Sequence, residues 1–186
     1  NTVAVVFLKG SDLLKTLEAG TQGLPYTTET SALCASFPQV SGIKYTVKTY
    51  KSYFKGTPSS GSTVWYDAKA VNRVTITSVN GKAFNKNSTY AIVTSNAIAN
   101  GMDAYNIIKS KKTEKSFVSS DYVSHEVWNY VKTSLKGTIG SSYSKAQGRI
   151  TLKGSMNAPK VKAKKHRLTA KWSKDLMSSG YQVSIS

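Results

Sequence analysis

The run Thr2–Leu8 is β-branched and apolar, which is the composition of a buried strand, and Gly10 ends it. Ser11 is a favourable N-cap residue for the segment that follows. The leucines of that segment lie on one face of a short helix predicted to reach Glu18, and Gly20 stops it. Strand and helix therefore alternate from the start of the chain.

The middle of the chain carries strand signals of the antiparallel kind. Ile43–Tyr50 alternates apolar residues with lysine and threonine, as a half-exposed strand does. Asn80-Gly81 is a type I′ turn signal between strands predicted at Arg73–Val79 and Lys82–Phe84. Tyr90–Ser95 is a further apolar strand. We therefore predict an α+β fold, with a mixed sheet and flanking helices.

Two further elements complete the main unit. Ser119 or Ser120 is predicted to cap a helix that runs to about Leu135, and Gly148–Leu152 to form a closing strand. Composition changes at Gly154. The predicted organisation is a main domain over residues 1–153 that lacks its first segment, followed by a linker and short strands over residues 154–186.

The tail resembles the opening of a fibronectin type III repeat. The resemblance rests on Ala158–Val161, Leu168–Trp172 and Gly180–Val183, with the tryptophan on the second strand and a tyrosine on the third. Three short strands are predicted, the last at Tyr181–Ser186. About 28 residues are present, against the ~100 residues of such a sandwich. We expect an incomplete all-β tail that packs on the main domain or a neighbour, or is poorly ordered.

The net charge and its distribution bear on which partners the chain can bind. The formal net charge is +17, and 23 of the 26 cationic residues are lysines spread along the chain. Dispersed lysine favours a solvated surface over a specific nucleic-acid face, which concentrates arginine and aromatic residues. Attraction of these lysines to an anionic cell wall is a third interpretation, between a merely solvated surface and a specific nucleic-acid face. No apolar run approaches the ~18–20 residues of a membrane span.

Common catalytic signatures are missing from the sequence. It contains no phosphate-binding glycine loop, dinucleotide fingerprint, nucleophile elbow or zinc-protease motif. Cys34 is the only cysteine, so no disulfide can form within the chain. Asp121 and His125 have helical i, i+4 spacing, but a solvated helix face explains them better than a metal pair. The chain begins at Asn1 without methionine, and we expect it to be a fragment.

Five segments, in the same order, resemble the C-terminal domain of the bacterial 5'-nucleotidase and 2',3'-cyclic-nucleotide phosphodiesterase family. They are Leu8–Glu18, the loop Phe37–Gly42, Arg73-Val74, the strand Tyr90–Ser95 and the loop Asn96–Tyr105. The resemblance implies a substrate-binding domain. In that family, two aromatic rings stack on the nucleoside base and an aspartate binds the ribose hydroxyls.

Carried over by position, the resemblance implies that Phe37 is the first ring and Asp103 the ribose ligand. Gly42, Asn96 and Gly101 are the other substrate-loop positions it implies. A base offers a flat π-face worth about 1–3 kcal/mol when stacked. A carboxylate can accept charge-assisted hydrogen bonds from two hydroxyls.

This chain departs from the family pattern in the second loop. Ala97 stands where the family has an aromatic residue, and Met102 and Ala104 replace glycines, which puts the usual loop conformation in doubt. Structural roles therefore remain open: Phe37 as a core residue and Asp103 as a turn former.

The resemblance also implies a calcineurin-like metallophosphatase domain that holds two divalent metals and precedes this chain. We expect no cofactor within the chain itself, no hydrolysis by it alone, and an extracellular or cell-wall location in a bacterium. Two alternatives stay open. One is a cell-surface module that kept the fold but lost nucleotide binding, and the other, suggested only by charge, is a nucleic-acid binder.

Overall fold

A computed structural model describes residues 1–24, 35–59, 62–154, 160–165, 167–172 and 182. The strands are β1 (Thr2–Lys9), β2 (Ile43–Lys48), β3 (Lys55–Pro58), β4 (Tyr66–Ala68), β5 (Val74–Val79), β6 (Lys82–Ala83), β7 (Thr89–Ser95), β8 (Phe117–Tyr122), β9 (Ile150–Lys153), β10 (Lys160–Lys164) and β11 (Arg167–Lys171). The helices are α1 (Gly10–Ala19), α2 (Asn96–Ala99), α3 (Asn106–Lys111) and α4 (Val123–Asn129), which continues as a π-helical turn (Tyr130–Ser134); a 3₁₀ turn (Ser141–Tyr143) follows. This mixture confirms the predicted α+β class.

The first sheet has the order β7-β1-β8 and is antiparallel. Alternate residues of β1, namely Ala4, Val6 and Leu8, are fully buried, as the period of two along a strand requires. They pack against Tyr105 and Ile108 from the α3 region. The first sheet is therefore covered on one face by the segment that follows β7.

The second sheet has the order β6-β5-β2-β9. Its β2 strand is antiparallel to β5 and parallel to β9. The buried residues Tyr45 and Val47 of β2 form one cluster with Leu13 and Leu17 of α1. Helix α1, which directly follows β1 of the first sheet, thus supplies an apolar face to the second sheet.

The predicted β5–β6 hairpin is confirmed. Asn80 and Gly81 have φ of +48° and +77°, and Val79 pairs with Lys82 across them. Positive φ at both central residues is the signature of a type I′ turn, whose twist matches that of the strands.

The carboxylate of Glu18 is fully buried at the end of α1. It accepts hydrogen bonds from the backbone N–H groups of Arg73 (3.0 Å to Oε2) and Val74 (2.8 Å) at the start of β5. Buried backbone donors need a hydrogen-bond partner, and the Glu18 carboxylate supplies it here. Glu18 therefore fastens α1 to the second sheet.

The Arg73 side chain is buried beside this carboxylate and donates to three backbone carbonyls. Its Nη1 lies 2.9 Å from Thr21 O and 2.7 Å from Leu24 O, and its Nε lies 2.6 Å from Lys51 O. Burial lowers the pKa of Arg73 from its ordinary value, while the charge of Glu18 opposes that shift. The guanidinium holds the segment after α1 against the one after β2.

The predicted start of the last helix was wrong. Ser119 and Ser120 lie within β8, which pairs with β1 through Ala4↔Val118, and the helix begins only at Val123. Serine favours helix caps locally. Here the backbone of this segment instead forms hydrogen bonds with the edge of β1, so it becomes a strand. The start of α1 also differs by two residues, since its N-cap is Lys9 and not Ser11, and no side chain caps it.

The tail contains an antiparallel hairpin, β10–β11, close to the first two predicted strands. The third predicted strand, Tyr181–Ser186, lies outside the described residues apart from Gln182. The fibronectin-like character of the tail and the boundary at residue 153 stay predictions. Among the described residues, no helix is long and apolar enough to cross a membrane.

Glu18→Gln should lower the free energy of unfolding by about 3 kcal/mol, because it places an amide nitrogen against backbone donors and removes the negative charge that favours the buried Arg73 guanidinium. Urea unfolding followed by circular dichroism measures the change. Glu114→Gln, at an exposed position, is the matched control and should stay within about 0.5 kcal/mol of the wild type. Equal losses in the two variants would show that Glu18 is not a structural anchor.

Candidate functional site

A cavity of about 320 Å³ opens between the two sheets, beside α1. Its walls are mainly apolar and come from β1, α1, β2, β7, α2 and α3, with a few polar groups from the loop 35–41 and from Asp103. The principal apolar side chains are Leu8, Leu13, Leu17, Ile43, Ile92, Ile98 and Ile108. A concave apolar site with a few polar groups is the usual form of a small-molecule pocket.

Phe37 lies in this wall, half-buried and packed against the α1–β2 cluster. Its backbone is held on both sides by tyrosine hydroxyls. Tyr105 donates to Ser36 O at 2.5 Å, and Tyr45 donates to Pro38 O at 2.7 Å. The loop that carries the predicted first ring is thus fixed by buried side chains, which lowers the entropy lost on binding.

Both tyrosines are buried, and this favours their neutral, donating form. Burial raises the pKa of Tyr45 above its ordinary value, with a smaller contribution from Tyr105. Burial also raises the pKa of Tyr105, and the nearby charge of Asp103 adds to the effect. The two hydroxyls therefore remain donors to the Phe37 loop at neutral pH.

Asp103 faces the same cavity from the second loop. Its φ of +55° is left-handed, a conformation that aspartate tolerates better than most residues. Its backbone carbonyl accepts a hydrogen bond from Ser59 Oγ at 2.9 Å. Because Tyr105 is only two residues away, the loop of Asp103 is tied directly to the loop of Phe37.

Three of the predicted site residues do not line the cavity. Gly42 has φ +74°, and a Cβ there would come within 2.4 Å of the Asn80 side chain. Asn96 begins α2 and accepts a hydrogen bond from Thr2 N at 3.2 Å. Gly101 has φ +89° and lies against α3. Gly42 and Gly101 therefore have a conformational role, whereas the Asn96 side chain fastens the start of α2 to the start of β1.

The three residues that depart from the family pattern lie in different environments. Ala97 lies in the short helix α2 and is not among the cavity-lining residues, so no second ring faces Phe37 from there. Met102 is 53% exposed, whereas Ala104 is fully buried against Ala19. The loop accommodates both substitutions, and Asp103 keeps a left-handed conformation between them.

Sequence reasoning missed the two tyrosines that hold the Phe37 loop. Tyr45 stands at an inward position of the alternating β2 pattern, and Tyr105 ends the second ligand segment. A buried tyrosine needs a hydrogen-bond partner, and that requirement was the available signal. Only the fold could show that both partners belong to one loop.

The proposed solvated-helix explanation for Asp121 and His125 needs correction. Asp121 lies in β8, where its carboxylate accepts a hydrogen bond from Ser119, whereas His125 lies in α4 and stacks on Trp128. Strand geometry at Asp121 removes the i, i+4 spacing. No group of three or more potential metal-ligating side chains is found among the described residues.

The family of the "5'-nucleotidase, C-terminal domain" matches residues 1–110. The chain belongs to this family. The chain is also similar to the crystal structure of a 5'-nucleotidase precursor from Thermus thermophilus, with a TM-score of 0.58 and 25% identity. That match covers 82% of this chain and 25% of the other, so the chain spans about a quarter of that relative's length. A comparison with curated proteins found no match.

Tyr105→Phe should flatten the alkaline loss of stability of this 5'-nucleotidase C-terminal domain. The folded-state pKa of Tyr105 is raised, so its contribution is complete below about pH 10 and is lost as pH rises towards the folded-state value. Above pH 10, the slope of the unfolding free energy should be less steep in the variant by about 1.4 kcal/mol per pH unit.

Urea unfolding at a series of pH values from about 8 to about 11 measures this slope. The control is Tyr122→Phe, because that side chain is 61% exposed, and it should retain the wild-type pH dependence. If Tyr105→Phe also retains it, the phenol is not protected by burial as the structure indicates.

Proposed function

We propose that residues 1–153 form the nucleoside-recognition domain of a phosphoester hydrolase of the 5'-nucleotidase type. The observation that carries the proposal is that Phe37 and Asp103, from loops far apart in sequence, line one cavity. An aromatic face and a carboxylate are the groups that a base and a ribose require. Membership of the 5'-nucleotidase C-terminal domain family supports the same role.

The remaining walls suit a flat, partly apolar ligand. The half-buried Val40, Ile92 and Ile98 give an apolar surface on which a base can be desolvated. Gln39 and Thr94 also line the cavity and offer neutral hydrogen-bonding groups to the polar edge of a base. In this proposal the base lies against Phe37 and the ribose hydroxyls donate to Asp103.

We propose that the hydrolysis takes place in a separate N-terminal metallophosphatase domain. Two divalent metals in that domain would activate the attacking water and stabilise charge on the phosphoryl group. The residues of this chain bind and orient the nucleoside, while the reacting phosphate lies outside the cavity. The short share of the Thermus relative that this chain spans is consistent with such a division.

We propose an extracellular or cell-wall-associated location in a bacterium. The net charge of +17 supports it, because such a charge is attracted to an anionic wall. Fractionation of the source cells and detection of the chain in the wall fraction would test this. Recovery solely from the cytosol would refute it.

A second candidate is a cell-surface module that kept the fold but lost nucleotide binding. Ala97 is the observation that favours it, because one side of the aromatic clamp is not supplied from α2. The binding experiment that follows separates the two candidates.

Adenosine and adenosine monophosphate should bind the chain at up to millimolar concentration, as measured by calorimetry and by chemical-shift changes in NMR spectra. Phe37→Ala should weaken binding about tenfold, because one stacked ring is worth roughly 1–3 kcal/mol. Asp103→Asn should weaken binding about tenfold as well, because it removes the charged acceptor of the ribose hydroxyls.

Phe117→Ala and Asp121→Asn are the matched controls, since both residues are exposed in β8 and do not line the cavity. They should bind as the wild type does. Absence of binding by any nucleoside would favour the module that lost binding. Equal effects of the site and control substitutions would exclude this cavity as the binding site.

A further inference from the structure

The tail hairpin has two chemically different faces. Antiparallel pairing of β10 with β11 places six side chains together on one of them: Lys160, Lys162 and Lys164 from β10, and Arg167, Thr169 and Lys171 from β11. All six are exposed. The residues between them form the apolar face: Val161, Ala163, Leu168 and Ala170. We call the face formed by the six exposed side chains the cationic face.

Five of the six side chains of the cationic face are positively charged, and residues 160–172 contain no Asp or Glu. Lys160 lies opposite Lys171, and Lys164 lies opposite Arg167. Like charges directly opposite each other destabilise a strand pair. The hairpin therefore concentrates positive charge that its own sequence does not neutralise.

The cationic face has a shape that can hold an anion. A cavity of about 220 Å³ is lined by Lys160, Lys162, Thr169 and Lys171. Successive cations along β10 are about 6.6 Å apart, and residues opposite each other across the pair are about 5 Å apart. A flexible chain of anions can thus meet several of these groups at once, and each contact raises the effective concentration for the next.

We propose that the cationic face binds a linear polymer of phosphate groups that carries no nucleobases. Lysine suits such a ligand, because an ammonium acts as a point charge with freely rotating donors and does not require a fixed planar partner. The proposal concerns a surface outside the nucleoside cavity and does not depend on the function proposed for that cavity.

The composition of the face disfavours nucleic acid as the ligand. Proteins that bind single strands stack bases on aromatic side chains, and the cationic face has none. A membrane surface is also disfavoured. The exposed apolar residues Val161 and Leu168 point to the opposite side, so inserting them would turn the cationic face away from the lipid.

Long-chain inorganic polyphosphate is the probe, and binding to the full 186-residue chain is measured by fluorescence anisotropy at several salt concentrations. Replacing Lys160, Lys162 and Lys171 together with glutamine should weaken binding about fivefold or more at about 0.15 M salt, where the Debye length is ~8 Å. It should also reduce the steepness of the salt dependence, because fewer counterions are released.

The matched control replaces Lys44, Lys82 and Lys115, which are exposed lysines of the main domain, with glutamine. It removes the same charge from the same chain and should weaken binding less than about twofold, since charges beyond a Debye length are screened. Circular dichroism of both triple variants checks that the fold is retained. The salt dependence of the wild type gives a readout that needs no variant.

Three arms decide the ligand class: polyphosphate, single-stranded DNA at equal phosphate concentration, and vesicles of an anionic phospholipid. A selective loss in the hairpin variant, with DNA no tighter than polyphosphate, supports the proposal. Any of four results overturns it: no polyphosphate binding by the wild type, equal losses in both variants, tighter binding of DNA, or vesicle binding that Leu168→Ser abolishes.

Discussion

The buried carboxylate of Glu18 is the contact on which the relation between α1 and the second sheet depends. An ionised group in an apolar interior is costly unless its hydrogen-bonding capacity is used. Here the first backbone donors of β5 use it, and the Arg73 guanidinium lies nearby. If the helix shifted along the sheet, the Glu18 carboxylate and the backbone N–H groups of β5 would both lose their hydrogen bonds.

The shape of the candidate site depends on the contact of Glu18 with the second sheet. Leu13 and Leu17 precede Glu18 on α1 and form part of the cavity wall, while β2 supplies Tyr45 from the sheet that Glu18 fastens. Tyr45 and Tyr105 then fix the Phe37 loop from two sides. A ligand would meet a wall already held by buried contacts, so little ordering would accompany binding.

Sequence patterns predicted the elements that depend on local signals. The alternation in β2 and the Asn80-Gly81 turn were confirmed because strand periodicity and type I′ geometry are local properties. The segment around Ser119 was misassigned because its strand state depends on β1, which lies more than a hundred residues earlier in the chain.

The candidate site could be predicted only in part, for a related reason. Family motifs pointed to Phe37 and Asp103, and the fold brings these two to one cavity. The same motifs included Gly42 and Gly101, whose positive φ values serve loop geometry. Motif position does not distinguish a residue that lines a cavity from one that shapes the backbone beside it. The tyrosine contacts join segments that are distant in sequence, so no local pattern could reveal them.

The parallel pairing of β9 with β2 sets the order in which the molecule can be completed. Thr49 Oγ1 reaches Lys153 O across 104 residues of sequence, just beyond the end of β2. Until β9 has been synthesised, that edge of β2 has open backbone groups, which invite pairing with other chains. Closing such a distant contact is slow. Because β9 is the last strand of this sheet in the sequence, the nascent domain has an unpaired strand edge until β9 is made. The chain is most prone to aggregation during that stage.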